Sequence, residues 1–411
     1  MKTSFLNGSC ERTPVPSEKP SVLWNAAGRL ASITLVAVVA VMLFSCRKKD
    51  AGGQPPDESC APKLMMESRQ GATPVSPPSP NEWLFVGDAF EGTFVQLWRE
   101  HAAWTQARWE TEFVQLRRAG MKIVVVQWIQ YDELDFTAPG PDRTSPLDRV
   151  VAAADAVGIE LCVGLSLRTS WWKADCFRAP YMQEELARNR QLAARLYPLL
   201  RGHRSFYGWY IPHEVTDIGT EGESDAEVRS FFSELTAHLN ALDALKPILA
   251  SGYTDRDRAD RVHFVIWWTL FLSESGIDVL VFQDGAGLAR KAPWPEVEPW
   301  IDALCTVADE VGRDVWLVGE VFNQTHGQPV DDQGFQAEPA GFGRVWQQLD
   351  MLGTFKKRLL AYSYFDYMRP SASPAAAALF DEYVRFADAR ATARKASPAA
   401  VRPPATAGSA P

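Results

Sequence analysis

Between about residue 81 and residue 390 the chain alternates two apolar patterns. Short runs that are apolar at nearly every position occur at residues 92–97, 122–128, 160–165, 207–211, 247–250, 278–282, 314–318 and 359–364. Runs of that length predict strands covered on both faces, as in a parallel sheet wrapped by helices. Between them, apolar residues recur at helical spacing. Trp109, Phe113 and Leu116 share one face ahead of Gly120, and Leu147, Val150, Val151 and Ala154 share another ahead of Gly158. Leu186, Leu192, Leu196 and Leu199 precede Gly202 in the same way. A glycine just past the last periodic residue is a helix stop. Residues 257–273 carry Val265, Trp267, Trp268, Leu270 and Phe271, but charge interrupts the run, so it predicts a buried barrel helix. Eight such strand–helix units predict an α/β fold with a single closed (β/α)8 TIM barrel. Its active site would open at the C-terminal ends of the strands. A barrel of that kind takes about 250 residues, so residues 81–390 hold one domain and little else.

The two ends read differently. Residues 30–45 are uncharged and mostly apolar, with Arg29 before them and Cys46, Arg47, Lys48 and Lys49 after them. About 16 residues is short of the ~20 a membrane-spanning helix needs, and it is the length of a signal-peptide core. The junction Leu43-Phe44-Ser45-Cys46 resembles a bacterial lipobox, which makes residues 1–46 a lipoprotein signal and Cys46 the lipidated residue. The alternative is an uncleaved anchor with its basic cluster held inside. Either ties the protein to a membrane. The lipoprotein reading places the domain in the bacterial cell envelope, facing the periplasm or at the outer membrane, and Arg47 is not the aspartate of an inner-membrane retention signal. A translation start nearer Val22 would give a signal of more usual length. Residues 47–80, rich in Pro, Ser, Gly and charge, predict a disordered tether, and the Ala/Pro-rich residues 391–411 a disordered tail.

The net charge of −9 is spread along the domain. Nucleic-acid binding needs a concentrated basic surface, so that partner is excluded. The cysteines show no zinc-type spacing. Cys162, inside a strand pattern, predicts a small buried hydrophobe. A disulfide among Cys60, Cys162, Cys176 and Cys305 is compatible with an extracytoplasmic site. No dinucleotide or phosphate-binding glycine motif occurs, and no cofactor is expected. His213-Glu214 lacks the second histidine of a metalloprotease helix, so no metal site is expected. No Gly-x-Ser-x-Gly elbow supports serine chemistry.

Two glutamates close apolar runs. Glu214 ends Phe206-Tyr-Gly-Trp-Tyr-Ile-Pro-His-Glu214, the fourth strand, and Glu320 ends Val315-Trp-Leu-Val-Gly-Glu320, the seventh. A carboxyl ringed by aromatics has its pKa raised by desolvation and suits a general acid. A second carboxylate facing a sugar ring suits attack on the anomeric carbon. Either glutamate by itself reads equally well as a salt-bridged rim residue. Asp284, after strand six in Val281-Phe-Gln-Asp-Gly285, could orient a base, position a water or replace Glu320, or it could simply form the turn before Gly285. Gln283 and His213 are supporting candidates. Aromatics crowd the strand ends: Trp128 and Tyr131 after strand two, Trp171 and Trp172 beside Arg168 after strand three, Tyr253 after strand five, and Tyr364 after strand eight. Such a rim suits the apolar faces of sugar rings, although aromatics also simply fill cores.

These stretches resemble a known family. The segment from about Phe85 to Pro370 is similar to the glycoside-hydrolase-like barrel proteins of domain-of-unknown-function family 4434. The resemblance rests on Glu91-Gly-Thr-Phe-Val-Gln96, Gly208-Trp-Tyr-Ile-Pro-His-Glu214, Phe282-Gln-Asp-Gly-Ala-Gly287 and Tyr362-Ser-Tyr-Phe-Asp-Tyr-Met-Arg-Pro370. More broadly the layout looks like clan A glycoside hydrolases. That resemblance implies Glu214 as acid/base and Glu320 as nucleophile. Clan A members carry Asn before the acid/base, where it contacts the sugar 2-hydroxyl; here the residue is His213, after Pro212. The expected function is cleavage of an extracytoplasmic polysaccharide by two carboxylates about 5–5.5 Å apart if retaining, or about 6.5–9.5 Å apart if inverting. The rival expectations are a non-catalytic saccharide-binding lipoprotein and an accessory factor of exopolysaccharide assembly or export machinery.

Overall fold

In the computed structural model, residues 89–140, 142–172, 179–218, 223–289, 294–328 and 330–396 are described. Eight parallel strands close into a barrel. They are β1 (Gly92–Val95), β2 (Ile123–Val126), β3 (Glu160–Gly164), β4 (Phe206–Thr216), β5 (Ile248–Tyr253), β6 (Val279–Gln283), β7 (Asp314–Glu320) and β8 (Arg358–Tyr362). Each is followed by a helix: α1 (Gln106–Arg118), α2 (Pro146–Val157), α3 (Ala179–Leu200), α4 (Glu223–Leu242), α5 (Arg261–Glu274), α6 (Glu298–Val311), α7 (Phe342–Gly353) and α8 (Pro374–Ala396). The ring closes where Gly92 and Thr93 of β1 pair with Leu360 and Ala361 of β8. The expected (β/α)8 fold is therefore the observed one, with all eight strands at the positions the apolar runs marked.

The strand period of two sorts side chains between two cores. Ile123, Val125, Cys162, Tyr210, Val279, Val281, Trp316, Val318 and Leu360 fill the barrel interior. Val124, Val126, Leu161, Val163, Ile211, Leu280, Phe282 and Leu317 join the layer between strands and helices. Both faces are apolar, which is why the strands read as unbroken runs. Local signals hold the helices in place. Ser145 and Asp148 form a reciprocal cap at the start of α2, with Pro146 in its first turn and Gly158 left-handed at its end. Asp260 caps α5 through Val262 N–H and His263 N–H. Cys162 lies in the barrel interior and Cys305 is also buried, both as free thiols. Cys60 and Cys176 fall outside the described residues, as do the signal with Cys46, the tether and most of the tail. Among the described residues no helix is long and apolar enough to cross a membrane.

Candidate active site

The same parity that builds the core places the polar groups. β6 sends Val279 and Val281 inward, so Gln283 follows them to the mouth. β7 sends Trp316 and Val318 inward, so Glu320 follows. β4 is irregular: between Ile211 and Val215 it advances four residues while β5 advances from Ala250 to Gly252. Such a bulge re-aims side chains. Ile211 and Val215 face the helices, and Glu214 points the other way. Glu214 and Glu320 thus open on one cavity of about 210 Å³, walled by Trp172, Tyr253, Thr254, Gln283 and Leu288.

The two carboxyls are held differently. Glu214 Oε1 accepts from Gln283 Nε2 at 3.0 Å. Burial pushes its pKa up to about 7, against a smaller lowering by the Gln283 hydrogen bond. Glu320 is 3% exposed, and its Oε2 accepts from Gly287 N–H at 2.8 Å. That amide approaches closely because residue 287 has no side chain: a Cβ there would sit 2.6 Å from the Phe322 ring and 2.7 Å from its carbonyl oxygen. The Glu320 strand end is braced from outside the barrel. Asp284 Oδ1 accepts from Glu320 N–H at 3.2 Å and Ala286 N–H at 3.0 Å, and its Oδ2 accepts from Gln348 Nε2 at 2.7 Å. Arg344 donates to the Glu320 carbonyl at 2.9 Å and the Phe322 carbonyl at 2.7 Å. On the neighbouring strand, Tyr362 pairs in register with Glu320, and Gln96 Nε2 donates to Tyr362 Oη at 2.6 Å and Gln127 Oε1 at 3.0 Å. Among the described residues no three His, Cys, Asp or Glu side chains are grouped to hold a metal.

The model of the domain-of-unknown-function family DUF4434 matches residues 90–378, most of the chain and all eight strands of the barrel. The chain belongs to this family. Among curated proteins it is 26% identical over 206 residues to the uncharacterized protein YbcH of Escherichia coli K12, covering 49% of this chain and 67% of that one. Among solved structures it is similar to a Bacteroides thetaiotaomicron protein proposed to be an alpha-L-fucosidase. The TM-score is 0.61 at 17% identity, covering 78% of this chain and 99% of that one. The Rhizomucor miehei endo-1,4-beta-mannanase matches at TM-score 0.48 and 14% identity, over 74% and 95% of the two chains. The likeness to the first structure establishes that this DUF4434 barrel shares its fold.

Several residues expected at the mouth lie elsewhere. Trp128 follows Val124 and Val126 outward; it is 2% exposed and donates to the Leu97 carbonyl at 2.9 Å. Tyr364 is buried against the helices, where its hydroxyl donates to Glu112 at 2.8 Å. His213 also faces outward, with Nε2 2.9 Å from the Glu185 carboxylate, so it is no surrogate for a sugar-binding Asn. Arg168 is ion-paired to Glu184 and Glu185 and lies over the Tyr181 ring, which occupies its guanidinium. Trp171 is buried beside His213 and donates to the Glu214 carbonyl at 3.0 Å; it holds the strand that carries Glu214. Only its neighbour Trp172, 49% exposed, reaches the cavity. Asp284 belongs to the outer face with Leu280 and Phe282, so it positions Glu320 and does not replace it. Tyr253 and Gln283 stand at the cavity as expected. Tyr131 lines a different hollow. Thr254 and Leu288 at the cavity, and Gln348 and Arg344 behind it, had no sequence signal of their own; Tyr362 had one in the inward parity of β8.

Proposed function

We propose that this protein hydrolyses an O-glycosidic bond of an extracytoplasmic polysaccharide, with Glu214 as general acid/base and Glu320 as nucleophile. The observation that carries this reading is one cavity receiving two carboxyls that are held differently. Glu214, with a pKa pushed up to about 7, keeps its proton near neutral pH and can deliver it to the leaving oxygen. Glu320 accepts a backbone N–H, an arrangement that suits a charged carboxylate. In the proposed cycle Glu320 attacks the anomeric carbon as Glu214 protonates the leaving oxygen. Water, deprotonated by Glu214, then releases the sugar and restores both groups. Trp172 and Tyr253 offer aromatic faces to the ring. Clan A resemblance supports the roles, and the glycoside-hydrolase-type fold supports the reaction class. A lipid on Cys46 would hold the barrel at the envelope, where such a polymer is met.

The test is hydrolysis of a panel of bacterial exopolysaccharides by the full chain beside Glu214→Gln and Glu320→Gln. Turnover by the wild type and loss of at least about 10³-fold in each variant, with binding retained, is the expected result. A 2-deoxy-2-fluoro glycoside of the sugar so identified should label Glu320 in a mass spectrum. Binding without turnover, indifferent to both substitutions, would instead make the protein a saccharide-binding module.

A further inference from the structure

A second hollow opens at the same end of the barrel, built from the loops after β1 and β2. Its volume is about 520 Å³, larger than the carboxylate cavity, and Trp98 and Tyr131 line it. Neither ring stands alone. Tyr131 stacks on Trp128 at 4.5 Å between centroids, and Trp98 meets Trp128 at 5.1 Å and Tyr131 at 5.3 Å, edge-on to both. Trp128 is the buried base of this cluster, fixed by its bond to the Leu97 carbonyl. The two outer rings are only part-buried, so each keeps an open face, and their packing on the buried Trp128 orders them before any ligand arrives. Rigid aromatic surface binds at little entropic cost.

One short turn joins this hollow to the carboxylate cavity. The 3-10 helix Thr169–Trp172 follows β3. At its start, Thr169 Oγ1 donates to the Tyr131 hydroxyl at 3.0 Å and Thr169 N–H to Asp132 Oδ1 at 2.8 Å, both on the wall of the large hollow. At its end, Trp172 lines the cavity with Glu214 and Glu320. At about 2 Å per residue the turn separates the two sites by only about 6 Å of backbone, a gap that a few sugar rings bridge. The rim of the hollow carries Glu100, Asp132 and Glu133 against Arg99. That excess of carboxylates repels a polyanion.

We propose that the Trp98–Tyr131 hollow is a distal binding site for an extended glycan strand without anionic groups, continuous with the carboxylate cavity through the Thr169–Trp172 turn. The inference rests on the glycosidase reading for the identity of the ligand, and it makes the preferred substrate an extended chain: a monosaccharide cannot occupy both sites at once.

The test is native affinity electrophoresis of the full chain in gels cast with glucomannan, glycol chitosan or alginate, beside hydrolysis of the same polymers. Glucomannan or glycol chitosan should retard the wild type and alginate should not. Trp98→Ala and Tyr131→Ala should each weaken retardation about tenfold, and Trp98→Phe, which keeps a ring, should restore most of it. Glu133→Lys, at an exposed position where a substitution costs little stability, should weaken retardation by glycol chitosan or confer it in alginate. Equal retardation of the wild type, Trp98→Ala and Glu133→Lys, or retardation by alginate alone, or by no polymer, would overturn the proposal. Retardation that depends on Trp98 but comes without hydrolysis would uphold this site and sink the catalytic reading. Hydrolysis with KM unchanged in Trp98→Ala would do the reverse.

Discussion

Burial raises the Glu214 carboxyl from 4.5 to about 7, a shift that suits the proposed proton donor and is at the same time a cost to stability. Below about pH 4.5 the folded and unfolded chains are both protonated there, and the penalty is absent. As pH climbs toward 7 the unfolded chain ionises while the folded one does not, so stability falls; above 7 the penalty is complete. Glu214→Gln removes the titration and keeps an acceptor for Gln283. It should match the wild type in thermal unfolding at pH 4 and exceed it at pH 8, by an amount on the order of 2 kcal/mol. If Glu214 is the acid, kcat/KM of the wild type should also decline above about pH 7. Thermal midpoints of the two proteins that stay parallel across this range would refute the assignment.

At the scale of elements, the site depends on α7 as much as on the strands. Gln348 lies between Asp284 Oδ2 and the Glu320 carbonyl, at 2.7 and 3.1 Å, and accepts from Arg344 at 2.8 Å. Asp284 in turn pins the backbone of Glu320 and the turn toward Gly287. Gln348→Leu strands a buried carboxylate oxygen and should cost about 1–3 kcal/mol in urea unfolding. Its kcat should fall more than its KM rises, because the side chain touches the carboxylate's support and not the cavity. The β-strand period made much of this legible beforehand. Glu214, Gln283 and Glu320 sit on the inward register of their strands, and so do Gln96, Gln127 and Tyr362. The same period counts His213, Asp284 and Trp128 outward. Proximity to a strand end had grouped them all, since the chain order of a mouth residue says nothing about its face. Gln348 and Arg344 escaped because a helix far along the sequence reaches two strands through tertiary contacts.

For the whole molecule, the barrel and its attachment are separate questions. The described residues form the barrel, and the proposed anchor at Cys46 precedes it. Cys46→Ser should move the protein from the membrane fraction to the soluble one and abolish labelling by a radioactive fatty acid, with no change in hydrolysis or in the melting temperature of the barrel. Persistence in the membrane fraction would favour the uncleaved anchor. What the sequence by itself determined was the eightfold alternation, the strand positions and the two glutamates, because burial on both faces of a strand and the helical period leave their mark in local order. Tertiary structure alone decided which aromatics meet a ligand. Trp171 and Trp172 are adjacent in sequence, yet one is packed against His213 and the other is 49% exposed at the cavity. Trp128 and Tyr131 divide in the same way into a buried base and an open face. Composition makes these side chains equivalent, and only the elements folded over them separate core from surface.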